Sequence, residues 1–294
     1  MYRVTPKVLA LLAALTLVWG TNWPLFSIAL AELSVPVFRM IVLTVAVATL
    51  YGIMGLRGDS FAVPRDKWLP LAAASAMNIG VWNVATSLAV LYLPSGHASV
   101  LSYTMPLWVA LLGLVAFRQP PTGRSLAAIF IGAAAVVALM VPNFASYGNA
   151  PQGLFWGLFA GFCWAIGTFI VKRTAWPGMG LSLTFWQVAV SWLPISLGAL
   201  LLDGLPTHWP SPLALAVTVY TGAIPMALGT AAWFALVKLL PAQIAALSSI
   251  AIPIVAVVSG VIFLNEPLSV LQAAAIASTV VSLWLALVPG RRAG

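Results

Sequence analysis

The sequence predicts an all-α membrane protein of ten transmembrane helices, arranged as two inverted repeats of five helices around a central cavity. Three observations lead to this fold class. The chain is 62% hydrophobic and only 6% charged, with a mean hydropathy of +1.07, whereas soluble domains carry about 25% charged residues. Its basic residues fall on one side of the apolar stretches, and its second half repeats the first.

The apolar stretches have the length of membrane-spanning helices. About 20 apolar residues cross roughly 30 Å of hydrocarbon, and a helix satisfies its own backbone amides in lipid. These runs are too long and too uniformly apolar to be barrel strands. We place the spans at 8–31, 35–56, 69–92, 96–116, 124–141, 152–171, 181–202, 212–237, 241–264 and 269–288.

The N-terminus resembles a signal peptide, because Arg3 and Lys7 precede an apolar run. That run continues to Ala31 without a small-residue cleavage site, so we interpret it as the first span. With this assignment, twelve of the 13 Lys and Arg residues lie in loops or termini on one side, and the other side has none. The positive-inside rule then predicts an inner (plasma) membrane protein with both termini in the cytoplasm.

An internal repeat divides the chain into units of 1–148 and 149–294. A shift of 147 superposes Pro94 on Pro241 and Pro106 on Pro253, and a shift of 145 brings Trp19 onto Trp164. Because each unit contains five spans, an odd number, the second unit is inserted upside down relative to the first. Inverted repeats of this kind build transporters with a site at the bilayer midplane. A duplicated scaffold without transport is the alternative.

The sequence lacks the features that are typical of several classes of function. The net charge of +8 does not indicate nucleic-acid binding, because basic residues cluster only as pairs. The single Cys163 cannot form a disulfide within the chain or a multi-cysteine metal site. No H-E-x-x-H or Walker A motif occurs, and all five acidic residues fall at or near loops. We therefore expect no enzymatic activity, no metal and no cofactor.

Two groups of motifs resemble a known family. Trp19-Gly20-Thr21-Asn22 with Pro36-Val37-Phe38-Arg39 resembles the opening of EamA-type members of the drug/metabolite transporter superfamily, and the segment from Ala231 to Ser269 resembles their C-terminal repeat. The resemblance implies ten spans in two EamA repeats and export of metabolites. The Trp-rich interior is similar to aromatic amino-acid exporters of the YddG type. Ile252 stands where the family often has an acidic residue, which argues against proton coupling there.

Polar and aromatic residues near the middle of spans are candidates for binding an amino acid. Such a ligand needs hydrogen-bond partners for its polar end and ring surface for its side chain, although Trp, Ser and Thr also pack helices. Prolines within spans are candidate hinges. The candidate binding residues are Trp19, Asn22, Asn78, Trp82, Ser102, Tyr103, Trp164, Thr168, Trp186 and Ser249, and the candidate hinges are Pro24, Pro106 and Pro253.

Arg39 is the one basic residue within a span. It lies about one helical turn from Pro36, so we expect its side chain to extend to the periplasmic interface. Attraction of a substrate carboxylate is the alternative.

The sequence thus favours an exporter of aromatic and other neutral amino acids that works by alternating access without proton coupling. A broad-specificity drug or metabolite carrier and an intramembrane enzyme are the alternatives. The expected partners are the small-molecule substrate and the lipid bilayer. We expect a monomer, while the GxxxG spacing of Gly157 and Gly161 leaves a dimer open.

Overall fold

The computed structural model describes residues 6–115, 149–204, 209–239 and 251–265, together with a few isolated positions. Within these ranges every regular element is helical, and seven helices are long and apolar enough to cross a membrane. The predicted spans at 124–141 and 269–288, the first part of the span at 241–264, and Ser249 lie outside the described residues. The helices are α1 (Pro6–Leu30), α2 (Val35–Arg57), α3 (Arg65–Tyr92), α4 (Ser95–Val115), α5 (Pro151–Arg173), α6 (Ser182–Leu202), α7 (Pro212–Lys238) and the shorter α8 (Ala251–Leu264).

Local sequence explains where these helices begin and end. The Ser34 hydroxyl caps α2 by accepting the amide of Val37, and Ser211 caps α7 in the same way through Ala214. A proline stands in the first turn of both helices, where its missing amide costs no hydrogen bond. Helix α2 ends at Gly58, whose φ of 68° suits a residue without a side chain.

Two of the helices contain a π-helical segment, which the sequence did not predict. Ala76–Val81 forms one in α3, and Gly222–Gly229 forms the other in α7. A π-helical turn is wider than an α-helical turn and often occurs at a functional site. Helix α4 is interrupted at Tyr103 and Thr104, just before Pro106. Pro106 has no amide to donate to the Ser102 carbonyl oxygen four residues earlier, and its ring clashes with that carbonyl, so the helix is not regular through this turn.

The described helices pack across the boundary between the two predicted units. Helix α1 packs on α8 and on α7, and α2 packs on α6 and α7. In addition, α5 packs on α4 and α3, and α6 packs on α3. If α1 is taken as equivalent to α5, α2 to α6, α3 to α7 and α4 to α8, each of these contacts between the units has an equivalent contact.

Small residues permit close approaches between these helices. A Cβ on Gly161 would lie 2.8 Å from the Ser102 carbonyl oxygen, and one on Gly157 would lie 2.6 Å from the Leu101 side chain. The GxxxG motif of α5 therefore packs against α4 within the same chain.

Candidate functional site

A cavity lies between α1 to α4 of the first unit and α5 and α7 of the second. Together with its mouth, it contains about 550 Å³ that no protein atom occupies. Its walls are mainly aromatic, with amide and hydroxyl groups and a single cation. The lining residues are Trp19, Asn22, Trp23, Phe26, Arg39, Trp82, Asn83, Tyr103, Trp164, Thr221, Pro225, Met226 and Thr230.

Aromatic rings from both units meet in this cavity. The Trp164 ring lies 4.7 Å from that of Trp82 and 5.9 Å from that of Trp19, between ring centroids. Tyr103 adds edge contacts with Trp82 and Trp23. Such tilted and edge-to-face contacts fix the ring orientations. The Trp164 indole N–H is buried and has no acceptor among the described residues.

Two hydrogen bonds join α1 to α7, one at its π-helical segment and one at the residue just before that segment. The Trp19 indole N–H donates to the Pro225 carbonyl oxygen at 2.9 Å, and the Thr221 hydroxyl donates to the Asn22 side-chain oxygen at 2.9 Å. The second bond leaves the Asn22 amide hydrogens available as donors. The polar wall of the cavity therefore links the two units directly.

Arg39 corrects our expectation of an interfacial side chain. It is only 2% exposed and lines the cavity instead of extending to a helix end. Its guanidinium donates to Ser87, Asn83 and Thr86, which all lie on α3. These hydrogen bonds stabilise the side chain inside the helix bundle, which removes the need to reach water.

Half of the predicted binding residues line the cavity, namely Trp19, Asn22, Trp82, Tyr103 and Trp164. The others that the structure describes lie elsewhere. Asn78 bonds to Gln187 at 3.4 Å, Ser102 donates to the Ala98 carbonyl oxygen, and Trp186 donates to the Phe61 carbonyl oxygen near the end of α2. Thr168 is buried, and its hydroxyl has no partner among the described residues.

The three candidate hinges differ in their surroundings. Pro24 lies within the continuous helix α1, and its missing amide frees the Gly20 carbonyl oxygen. The Ser259 hydroxyl, whose shortest contact is with the Val255 carbonyl oxygen of its own helix, lies 3.4 Å from it. Pro106 follows the interruption of α4. Pro253 is buried in the first turn of the part of α8 that the structure describes.

Sequence reasoning selected none of the four α7 residues that line the cavity, which are Thr221, Pro225, Met226 and Thr230. The repeat itself contained the signal, because a shift of 147 carries Asn78 onto Pro225 and Asn83 onto Thr230. Pro225, Asn83 and Thr230 all line the cavity. Of these three residues, only Pro225 corresponds to a residue selected from the sequence, Asn78, so the repeat indicated that single position of the α7 wall.

One end of the bundle carries a second set of contacts between the units. The Glu32 carboxylate accepts the backbone amide and the hydroxyl of Ser211, both at 2.6 Å, and the Ser34 hydroxyl donates to the Asp203 carboxylate. We call these four residues the loop clasp. The hydrogen bonds from Ser211 hold the pKa of Glu32 below its ordinary value.

Comparisons with known proteins agree with this architecture. The chain is 26% identical over 288 residues to the uncharacterized transporter YvbV of Bacillus subtilis (strain 168), covering 94% of this chain and 90% of that protein. It is 25% identical over 189 residues to a probable amino-acid metabolite efflux pump of Escherichia coli (strain K12), covering 61% and 63%. It is also 27% identical to the protein PecM of Dickeya dadantii (strain 3937), covering 86% and 82%.

A solved crystal structure has the same fold, with a TM-score of 0.72 and 19% identity, and the match covers 93% of this chain and 96% of that one. The model of the EamA-like transporter family matches twice, at residues 6–141 and 151–288. These two matches account for most of the sequence. The chain therefore belongs to the EamA-like transporter family and is a multi-pass membrane transporter.

Proposed function

We propose that this transporter exports amino acids with aromatic or other neutral side chains, by alternating access through the cavity between its two units. The observation that carries the proposal is the composition of the cavity, which combines indole rings from both units with the phenol ring of Tyr103 and the amide groups of Asn22 and Asn83. Ring surface suits an apolar side chain, and the amides suit the polar end of the ligand. The name of the related Escherichia coli protein, an amino-acid metabolite efflux pump, supports the same substrate class.

Alternating access requires two related units that can exchange conformations around a shared site. The paired packing of the described helices supports this mechanism, as does the position of the cavity between the units. We further propose ten spans in two inverted repeats, with 1–148 and 149–294 as the units. The distribution of Lys and Arg supports this arrangement and a location of both termini in the cytoplasm. In that orientation the loop clasp lies on the periplasmic side, and Pro106 and Pro253 are the hinges.

We propose that transport is not coupled to protons. Proton relays in membranes use Asp, Glu or His chains, and the cavity lining that the structure describes contains none of these residues. A gradient of the amino acid itself then drives export.

The test is uptake of each of the twenty amino acids by proteoliposomes without an imposed proton gradient. We expect saturable flux of aromatic and other neutral amino acids, and a strongly reduced flux in Trp164→Ala. Trp209→Ala is the matched control, because Trp209 is 90% exposed outside the cavity.

No saturable flux of any amino acid would refute the proposed substrate class, and strict dependence on a proton gradient would refute the uncoupled mechanism. Equal competition by cationic dyes would favour a broad-specificity carrier.

A further inference from the structure

Arg39 places a buried positive charge in the cavity wall, and no described residue forms an ion pair with it. Its nitrogen atoms Nε, Nη1 and Nη2 lie 2.6 Å from the Ser87 hydroxyl, 2.8 Å from the Asn83 amide oxygen and 3.1 Å from the Thr86 hydroxyl. All three acceptors are neutral. The ion pairs that the structure describes, Arg57 with Asp59 and Lys67 with Asp66, lie elsewhere. The charge of Arg39 is therefore solvated by hydroxyl and amide groups and is not neutralised.

The guanidinium retains capacity for a further ligand. Each terminal nitrogen carries two N–H groups, and the bonds to Asn83 and Thr86 use one on each. One N–H group on each terminal nitrogen therefore remains, and a carboxylate is the ligand group that a guanidinium binds most strongly. The rings of Phe26 and Phe38 lie 4.3 and 4.8 Å from the Arg39 Cζ atom and limit the orientation of the planar group.

The rest of the cavity also offers donors. The Trp164 indole N–H lacks an acceptor among the described residues, and the Asn22 side-chain oxygen is already occupied by Thr221, which leaves its amide to donate. No described lining residue is acidic. A ligand with a carboxylate supplies the missing counter-charge, whereas a ligand with an ammonium group finds only neutral acceptors and a repelling cation.

We propose that Arg39 determines specificity by binding the substrate carboxylate, and that the cavity takes aromatic monocarboxylates whose amino group is dispensable. This inference rests on the proposed function and refines its substrate class. Aromatic amino acids bind through the carboxylate and the ring. Their deaminated acids bind at least comparably, and the corresponding amines are rejected.

The test compares three ligands that share one phenyl ring and a short chain: phenylalanine, 3-phenylpropionate and phenethylamine. Binding is measured by isothermal titration calorimetry to the full chain in nanodiscs, with empty nanodiscs correcting for partition into lipid. We expect 3-phenylpropionate to bind within about tenfold of phenylalanine, and phenethylamine to bind at least about 100-fold more weakly than either, as expected for the loss of a charge-assisted bidentate contact.

The variant Arg39→Gln should weaken binding of both carboxylates about 10- to 100-fold. Arg39→Lys, which keeps the charge but not the paired N–H groups, should lose less. Arg57→Gln, which removes an exposed cation outside the cavity, should bind like wild type. If Arg39→Gln does not fold, Arg39→Lys and the wild-type ligand series still decide the question.

Equal binding of phenethylamine and 3-phenylpropionate would overturn the inference, as would wild-type carboxylate affinity in folded Arg39→Gln. Either result alongside saturable phenylalanine flux in proteoliposomes would leave the proposed function standing. Absence of flux for every amino acid would instead refute the proposed function.

Discussion

The two π-helical segments occupy equivalent positions in the two units but have different surroundings. A shift of 147 carries 76–81 of α3 onto 223–228, within Gly222–Gly229 of α7. In α7, Pro225 and Met226 line the cavity, and the Pro225 carbonyl oxygen accepts the Trp19 indole N–H. In α3, Asn78 is fully buried and bonds to Gln187, away from the cavity lining.

The difference shows that a π-helical turn can serve two purposes in the same protein. A π-helical turn is wide and leaves carbonyl groups available to side chains from outside the helix. In α7 the outside donor comes from α1, at the cavity, whereas in α3 the Ser191 hydroxyl of α6 donates to the Ser75 carbonyl oxygen. Which element approaches the widened turn therefore decides whether the carbonyl oxygens there accept from a side chain of the aromatic cavity or from the helix packed on the other side.

The largest expected effect comes from a methyl group at Gly222. A Cβ there would lie 2.6 Å from the Val42 carbonyl oxygen, a backbone atom that cannot easily move. We expect Gly222→Ala to destabilise the protein by about 1–3 kcal/mol, as overpacking usually does, measured by chemical unfolding in detergent. Gly80→Ala in the α3 segment is the control, because its nearest neighbour would be 3.7 Å away. Equal loss of stability in both variants would contradict this difference.

Asn78→Ala should lower the stability of the protein without weakening substrate binding. The change leaves Gln187, which is fully buried, without its bond from Asn78, and such a loss costs about 1–2 kcal/mol. We expect a lower unfolding midpoint and a transport KM close to that of wild type. Asn22→Ala, within the cavity, should raise KM instead. A KM in Asn78→Ala as high as that in Asn22→Ala would place the α3 segment in the binding site.

Trp19→Phe tests the bond between α1 and the α7 segment. It keeps a ring in the cavity but removes the donor to the Pro225 carbonyl oxygen, at a cost of about 1 kcal/mol. We expect a transport rate reduced several-fold, measured as initial flux in proteoliposomes. Trp186→Phe, which removes a similar indole bond outside the cavity lining, serves as control. Equal rates in the two variants would argue against a role for the Trp19 bond in transport.

The smallest effect concerns the loop clasp, where the two units meet at exposed loops. The hydrogen bonds from Ser211 lower the pKa of Glu32 in the folded protein. The ionised carboxylate therefore stabilises the folded protein at pH values above the pKa of Glu32 in the unfolded chain. This stabilisation is lost as the pH falls through the lower pKa of the folded protein. We expect a slightly lower unfolding midpoint in acid for wild type, and a weaker pH dependence in Glu32→Gln. The same pH dependence in both proteins would exclude Glu32 as its cause.

The sequence predicted the helical fold well because lipid restricts the choice of structure. A helix is the only element that these long apolar runs can form in a bilayer. The helices α1 to α7 begin and end within a few residues of the predicted spans, and α8 ends at the predicted residue. Trp19 and Trp164, which the repeat aligns, were selected as aromatic residues near mid-span, and both line the cavity. The candidates that lie elsewhere, Asn78 and Trp186, show that position near mid-span does not by itself indicate which face of a helix meets the cavity.

By itself, the sequence determined the class of protein, the positions of the described helices and a set of polar residues too costly to expose to lipid. Only the tertiary structure decided which of those residues share a cavity and that Arg39 lies inside it. The physical reason is that helix formation depends on local hydrogen bonds, whereas the surroundings of a side chain depend on packing against distant helices. Arg39 shows this directly, since its hydrogen-bond partners lie 44 to 48 residues away in the chain.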